Sequence, residues 1–186
     1  MEAKTIILAG VNESAVLGSQ AVQQRGVLPA APTDDPGWIL VEQGVTLGRE
    51  HEVESLFAVA NGYVGARGSL AEGSVLSAPA TFVAGIFDSD PSSLRTLTPT
   101  ADWTRLSITI DRYPLRLDRG YNLAHRRVLD MRQGILWREW RHQDEAGRIT
   151  QLRMLRLVSL ADRHLLVQCV AITPENFSTR YFSMLR

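Results

Sequence analysis

"GILWREWRHQDEAGRITQLRMLRLVSL" occupies residues 134–160 and reads as a β-hairpin. In its first arm Ile135, Trp137 and Glu139 project to one side and Leu136, Arg138 and Trp140 to the other, the two-residue period of a strand. "DEAG", residues 144–147, supplies turn chemistry between the arms. Downstream, "HLLVQCVAIT" is a further apolar strand ended by Pro174. Upstream, "LSITID" sets Leu106, Ile108 and Ile110 against Ser107, Thr109 and Asp111, after which "DRYP" reads as a turn and "LRL" as a returning strand. "ATFVAGIFD", residues 80–88, reads as a largely buried strand, and "WILVEQGVTLG" as two short β-prone runs divided at Gly44. Helix is suggested only at residues 51–60 and weakly at 11–24. Repeated short strands with turns between them predict an all-β, antiparallel β-sandwich rather than βαβ units.

The chain has 186 residues, enough for one domain that buries roughly 70% of its extended-chain surface. Twenty basic and twenty acidic side chains cancel, so no overall field draws in nucleic acid or an anionic membrane. No run of 18 apolar residues exists to span a bilayer as a helix. The single cysteine, Cys169, lies in an apolar run and is expected to be a buried structural thiol; its lack of a disulfide partner fits a reducing, cytoplasmic setting. Residues 1–37 read as an irregular leader or linker, expected to be disordered, because "LPAAPTDDPG" opposes regular structure. Residues 38–186 form the sandwich. Its apolar ending, "NFSTRYFSMLR", reads as a strand cut short and predicts an incomplete sandwich.

The most sharply patterned segment is "ESLFAVANGYVGARGSLAEG", residues 54–73, with Gly62, Gly65 and Gly68 at every third position. This is neither the G-x-G-x-x-G dinucleotide fingerprint nor a P-loop, and the preceding residues look helical where both motifs need a strand. A structural turn fits better: Asn61-Gly62 supplies a positive φ, and the later glycines permit close backbone approach. No metal site is expected, because His51, His125, His142 and His164 are scattered without helical pairing. Asp88, Asp90, Asp102, Asp111, Asp118, Asp130 and Glu139 are assigned turn or surface roles. "RRVLDMRQGILWREWR" reads as amphipathic strands, with Trp137 or Trp140 in the core and arginines outside or paired with Asp130 and Glu139.

Taken together, these segments resemble glycoside hydrolase family 65, the family of the maltose, trehalose and kojibiose phosphorylases and the acid trehalases. Residues 54–73 match E-S-L-F-A-x-x-N-G-Y-x-G-x-R-G-x-x-E-E-G, apart from Ala71-Glu72 in place of an acidic pair. "ATFVAGIFD", "DWTRLSITIDRYPLRL", "RRVLDMRQGILWRE" and "RLVSLADRHLLVQCVAITPEN" are similar to the landmarks that follow, in order. The resemblance implies the family's N-terminal domain, a galactose-mutarotase-like supersandwich. Catalysis in the family belongs to a following (α/α)6 barrel, whose glutamate acts as general acid while phosphate or water inverts the anomeric centre.

No residue here matches that barrel, so no catalytic residue and no cofactor is expected in this chain; inorganic phosphate is the co-substrate if the complete enzyme is a phosphorylase. The implied partners are an α-glucoside disaccharide, the chain's own catalytic barrel and a second copy in a homodimer. Asn61, Tyr63 and Arg67 are the residues expected nearest a sugar. Two alternatives compete: a stand-alone carbohydrate-binding sandwich, stacking on Tyr63, Trp103, Trp137 and Trp140, and a decayed gene product.

Overall fold

The structure is a computed structural model that describes residues 4–11, 31–88, 96–178 and 182–185. Its frame is a six-stranded sheet in the order β1-β12-β11-β10-β9-β2. These strands are β1 (Lys4–Val11), β2 (Ile39–Gln43), β9 (Tyr121–Asp130), β10 (Ile135–Gln143), β11 (Ile149–Val158) and β12 (Leu165–Pro174). The hairpin expected from residues 134–160 is present as β10 and β11, paired from Ile135↔Leu157 to Gln143↔Ile149. Asp144 closes it: its side chain accepts from the Ala146 and Arg148 amides, and Gly147 takes φ +79°.

Two smaller sheets complete the layers. One runs β3 (Val59–Ala60), β4 (Val64–Ala66), β5 (Thr81–Phe87) and β6 (Leu97–Thr100). The other has the order β13 (Phe182–Leu185), β7 (Ser107–Ile110), β8 (Tyr113–Pro114). The β7–β8 turn puts Asp111 and Arg112 both at positive φ, 47° and 71°, the twist that a tight two-residue hairpin demands. Among the described residues all pairings are antiparallel except β1 with β12.

Strand alternation builds two cores on the large sheet. On the inner face Trp140, Leu152, Met154, Val170 and Ile172 meet Leu106, Ile108, Ile110, Leu115 and Leu117 from the β7–β8 region. Further along the same face Leu136, Val158 and Leu166 meet Trp103, Val64 and the helix α1 (Glu50–Leu56) through Val53. The outer face carries Val128, Ile135, Trp137, Leu155 and Cys169. Trp137, Leu155 and Cys169 lie in one register row, so the cysteine is a buried packing residue. Both faces of β10 are therefore buried from Ile135 to Arg138.

Several expectations need correction. Lys4–Val11 is a strand, not irregular leader, and pairs in parallel with β12 along Lys4↔Leu165 to Val11↔Ile172. The weak helix expected at 11–24 lies outside the described residues beyond Val11, the end of β1. β5 is buried only at Thr81 and is exposed from residue 84 onward, so "ATFVAGIFD" is not a core strand. The second half of "WILVEQGVTLG" is a 3-10 turn, Leu47–Arg49, that reaches the core through Leu47. "LRL" extends the strand only to Pro114, yet Leu115 and Leu117 are buried.

Candidate functional site

The patterned segment 54–73 folds as a clamp over a polar layer inside the sandwich. α1 places Glu50, Val53, Glu54 and Phe57 on one stripe, and all four are buried. Two buried carboxylates need cationic or hydrogen-bonding partners, because an unpaired charge in the interior is heavily penalised. The inner face of the large sheet supplies three arginines. Arg127 on β9 lies directly across from Arg138 on β10, and Arg156 on β11 is one register step away, opposite Leu136.

Each guanidinium is held differently. Arg127 donates from Nη1 and Nη2 to Glu50 at 2.8 and 2.6 Å and from Nε to Glu42 at 2.6 Å. Burial works against its charge, but these carboxylates outweigh it and raise its pKa. Arg138 grips Glu72 with both Nη atoms at 2.6 and 2.7 Å and donates from Nε to His125 Nε2 at 3.0 Å. Among the described residues Arg156 has no carboxylate in contact; it donates to Gln168 Oε1 and to the Ser69 carbonyl, each at 2.5 Å. Burial first, then the nearby Arg138 charge, push it down to about 10, so it remains a cation at neutral pH.

His125 links this layer to the edge of the sheet. Its Nε2 accepts from Arg138, so Nδ1 carries the proton and donates to the Gly44 carbonyl at 3.0 Å. Burial and the adjacent Arg138 charge hold it down to about 3, a neutral imidazole across the physiological range.

The second carboxylate, Glu54, organises the clamp itself. It accepts from Ser69 Oγ, Ser77 Oγ and the Ala78 amide at 2.6, 2.8 and 2.8 Å, and Arg67 Nη2 lies 3.1 Å away. Arg67 also donates to the His51 carbonyl and Ser55 Oγ. Asn61 is fully occupied: Nδ2 donates to the Ser159 and Arg163 carbonyls, and Oδ1 accepts from the Tyr63 and Val64 amides. Tyr63 stands edge-on to His164, with Arg163 over its ring at 4.8 Å. Asn61 and Tyr63 thus meet at the 159–164 turn, whereas Arg67 faces α1.

The three glycines differ in what they do. Gly62 takes φ +85°. A Cβ on Gly68 would sit 2.6 Å from the Phe57 carbonyl oxygen, while one on Gly65 would come no nearer than 3.4 Å to any neighbour, Ala60 Cβ.

Other expected roles fall elsewhere. Trp103, Trp137 and Trp140 are all buried, which leaves only Tyr63 of the expected stacking residues partly accessible. The arginines of residues 126–141 do not pair with Asp130; it accepts from the Thr33, Arg132 and Gln133 amides instead. Arg127 and Arg138 lie inside rather than outside. Asp102 accepts from Thr104, Asp118 pairs with Arg116 and Asp111 with Arg148, while Asp90 lies outside the described residues. Sequence reasoning missed Glu50, Glu54 and Glu72 as network members. For Glu50 and Glu54 the signal was available in the i, i+3, i+4, i+7 stripe 50-53-54-57, which puts two glutamates on an apolar helix face. Among the described residues no group of three or more His, Cys, Asp or Glu is arranged to hold a metal ion.

Stacked antiparallel sheets with a polar arginine–glutamate layer under a glycine-rich clamp define a β-sandwich domain whose motif charges are spent internally. The chain belongs to glycosyl hydrolase family 65: the description "Glycosyl hydrolase family 65, N-terminal domain" matches residues 40–181. It is 36% identical over 143 residues to a kojibiose phosphorylase of Caldanaerobacter subterraneus subsp. tengcongensis, covering 77% of this chain and 18% of that protein. It is 26% identical over 167 residues to an alpha,alpha-trehalose phosphorylase of Thermoanaerobacter brockii, covering 81% of this chain and 21% of that one. A solved chain from the human microbiome, named for kojibiose phosphorylase, superposes with a TM-score of 0.59 at 20% identity, over 67% of this chain and 18% of its own. The chain therefore spans about a fifth of the length of the curated relatives it matches.

Proposed function

We propose that this chain is the bracing, non-catalytic sandwich of an inverting phosphorylase or hydrolase that acts on α-glucosides. The observation that carries this reading is coverage: the match to a kojibiose phosphorylase spans 77% of this chain but only 18% of that protein. The side-chain geometry supports it. Glu50, Glu54 and Glu72, the strongest candidates for acid–base work by burial, are all neutralised by arginine or by hydrogen-bond donors. In this reading the reaction, its inorganic phosphate and the disaccharide belong to the barrel that the sandwich supports. Cytoplasmic placement accords with the lone buried thiol.

The test is an assay of the purified chain on kojibiose, trehalose and maltose, with and without inorganic phosphate. No release of glucose or glucose 1-phosphate is expected. A graft replacing the matching N-terminal residues of the Caldanaerobacter kojibiose phosphorylase should give a soluble, active enzyme. Turnover by the chain alone, or a graft that folds without activity, would overturn the proposal.

A further inference from the structure

One edge of the large sheet is only half covered. β2 pairs with β9 from Ile39↔Asp130 to Gln43↔Arg126, and the Gly44 amide makes a last bond to the His125 carbonyl at 2.8 Å. Gly44 takes φ +75°, and the pairing stops there. β9 itself continues back to Tyr121, paired with β10 on its other side, and Tyr121–Ala124 are all exposed. Among the described residues no strand lies beside these four on the β2 side. A cleft of ≈630 Å³ is found at this bare edge, lined by Gly44 and by β9 from Asn122 to Arg126. An unpaired edge with room beside it is a template for another strand.

The charges around the edge say what that strand carries. On the outer face, register sets Gln43, Arg126, Glu139 and Arg153 in one row across β2, β9, β10 and β11, and Ala124, Arg141 and Gln151 in the next. Two of the arginines in these rows are matched, Arg141 by Glu175 at 2.7 Å and Arg153 by Glu139 at 3.6 Å. Arg126 is the surplus. It forms no ion pair with a described residue, and its Nε is shielded from solvent without an acceptor. A residue added opposite Ala124 shares the outer face with Arg126 and stands diagonal to it, roughly 7–8 Å away, which long side chains span. Ala124 is small and leaves the room. A carboxylate at that position fits the guanidinium fork and neutralises the charge left over, whereas a free anion would use Arg126 alone and leave the backbone edge bare. We propose that the Tyr121–Ala124 edge of β9 docks an extended polypeptide strand, with a glutamate or aspartate opposite Ala124 received by Arg126. The site goes beyond the bracing role and rests on no property of the barrel.

The experiment titrates the ¹⁵N-labelled chain with two capped, β-prone peptides, Thr-Val-Thr-Glu-Thr-Val-Thr and its counterpart with Gln for Glu, up to on the order of 10 mM. Saturable amide shifts are expected from Tyr121 to Arg126, with the Glu peptide binding about tenfold more tightly than the Gln peptide. Arg126→Gln should abolish that difference. The two peptides are compared on the unaltered chain, so the proposal is tested even if the variant disturbs folding. A dispersed spectrum without saturable shifts at this edge would overturn it, and so would equal affinity for the two peptides. The same shifts produced by inorganic phosphate alone would make the cleft an anion site instead. Shifts that grow with chain concentration in the absence of peptide would give the edge to a second copy, which also overturns the proposal. None of these results would touch the bracing role, which rests on the graft.

Discussion

Arg138 and Glu72, 66 residues apart in sequence, form a bidentate ion pair at 2.6 and 2.7 Å inside the sandwich. It ties the end of the glycine clamp to the middle of β10, and both side chains are about 95% shielded from solvent. Such a pair is expensive to break one-sidedly, because the partner is left as an uncompensated buried charge. Glu72→Gln and Arg138→Met are each expected to cost about 3–5 kcal/mol of unfolding free energy. The double variant should cost much less than the sum, which urea denaturation of all four proteins in a double-mutant cycle would read directly. Additive losses would mean that the two residues do not act through each other.

His125 makes stability depend on pH. Its folded pKa is pushed down to about 3 by burial and by Arg138, against an unfolded value near 6.5. The unfolded chain therefore takes up a proton between these values while the folded chain does not. Stability is whole above about pH 6.5 and falls on acidification toward pH 3, by up to about 1.4 kcal/mol per pH unit. His142, also lowered by burial, acts in the same direction. Carboxylates held below their usual range, such as Asp130, add their own loss only at the acid end. Thermal melts from pH 7.5 to 4.5 should show a falling Tm, with a shallower fall in His125→Gln. An equal slope in that variant would remove His125 as the cause.

The sheets were legible in the sequence because alternation is local. Leu106, Ile108 and Ile110, or Trp137 against Trp140, announce their faces within a few residues. The polar layer was not, because nothing local to Arg127 or Arg138 names a partner 66 to 77 residues away. Reading these arginines as surface groups followed their average behaviour, and the stripe shared by Glu50 and Glu54 was the only contrary sign. β1 was hidden for another reason. Its parallel pairing with β12 joins Lys4 to Leu165, a distant partner that no local pattern names.

Gly68 is required by space rather than by φ. Its amide donates to the Glu54 carbonyl at 2.7 Å, and a Cβ there would approach the Phe57 carbonyl oxygen to 2.6 Å and Phe57 Cβ to 2.7 Å. Neither neighbour can yield without moving α1. Gly68→Ala should therefore lose about 1–3 kcal/mol, whereas Gly65→Ala, whose nearest contact is Ala60 Cβ at 3.4 Å, should be nearly neutral. Urea midpoints of the two variants check the contrast, and equal midpoints would contradict the packing seen here.

Asn61 decides whether the most patterned corner serves folding or sugar. Its amide donates at 2.7 and 3.1 Å to the Ser159 and Arg163 carbonyls, and its oxygen accepts from Tyr63 and Val64, so no polar atom of the side chain is left over for a ligand. Asn61→Asp keeps the acceptor but replaces two donated bonds with a carboxylate facing two carbonyls. The expected loss is about 1–3 kcal/mol of stability, reached already by Asn61→Ala through the lost bonds alone. An Asn61→Ala protein with an unchanged urea midpoint would reverse this assignment and free the side chain for a ligand.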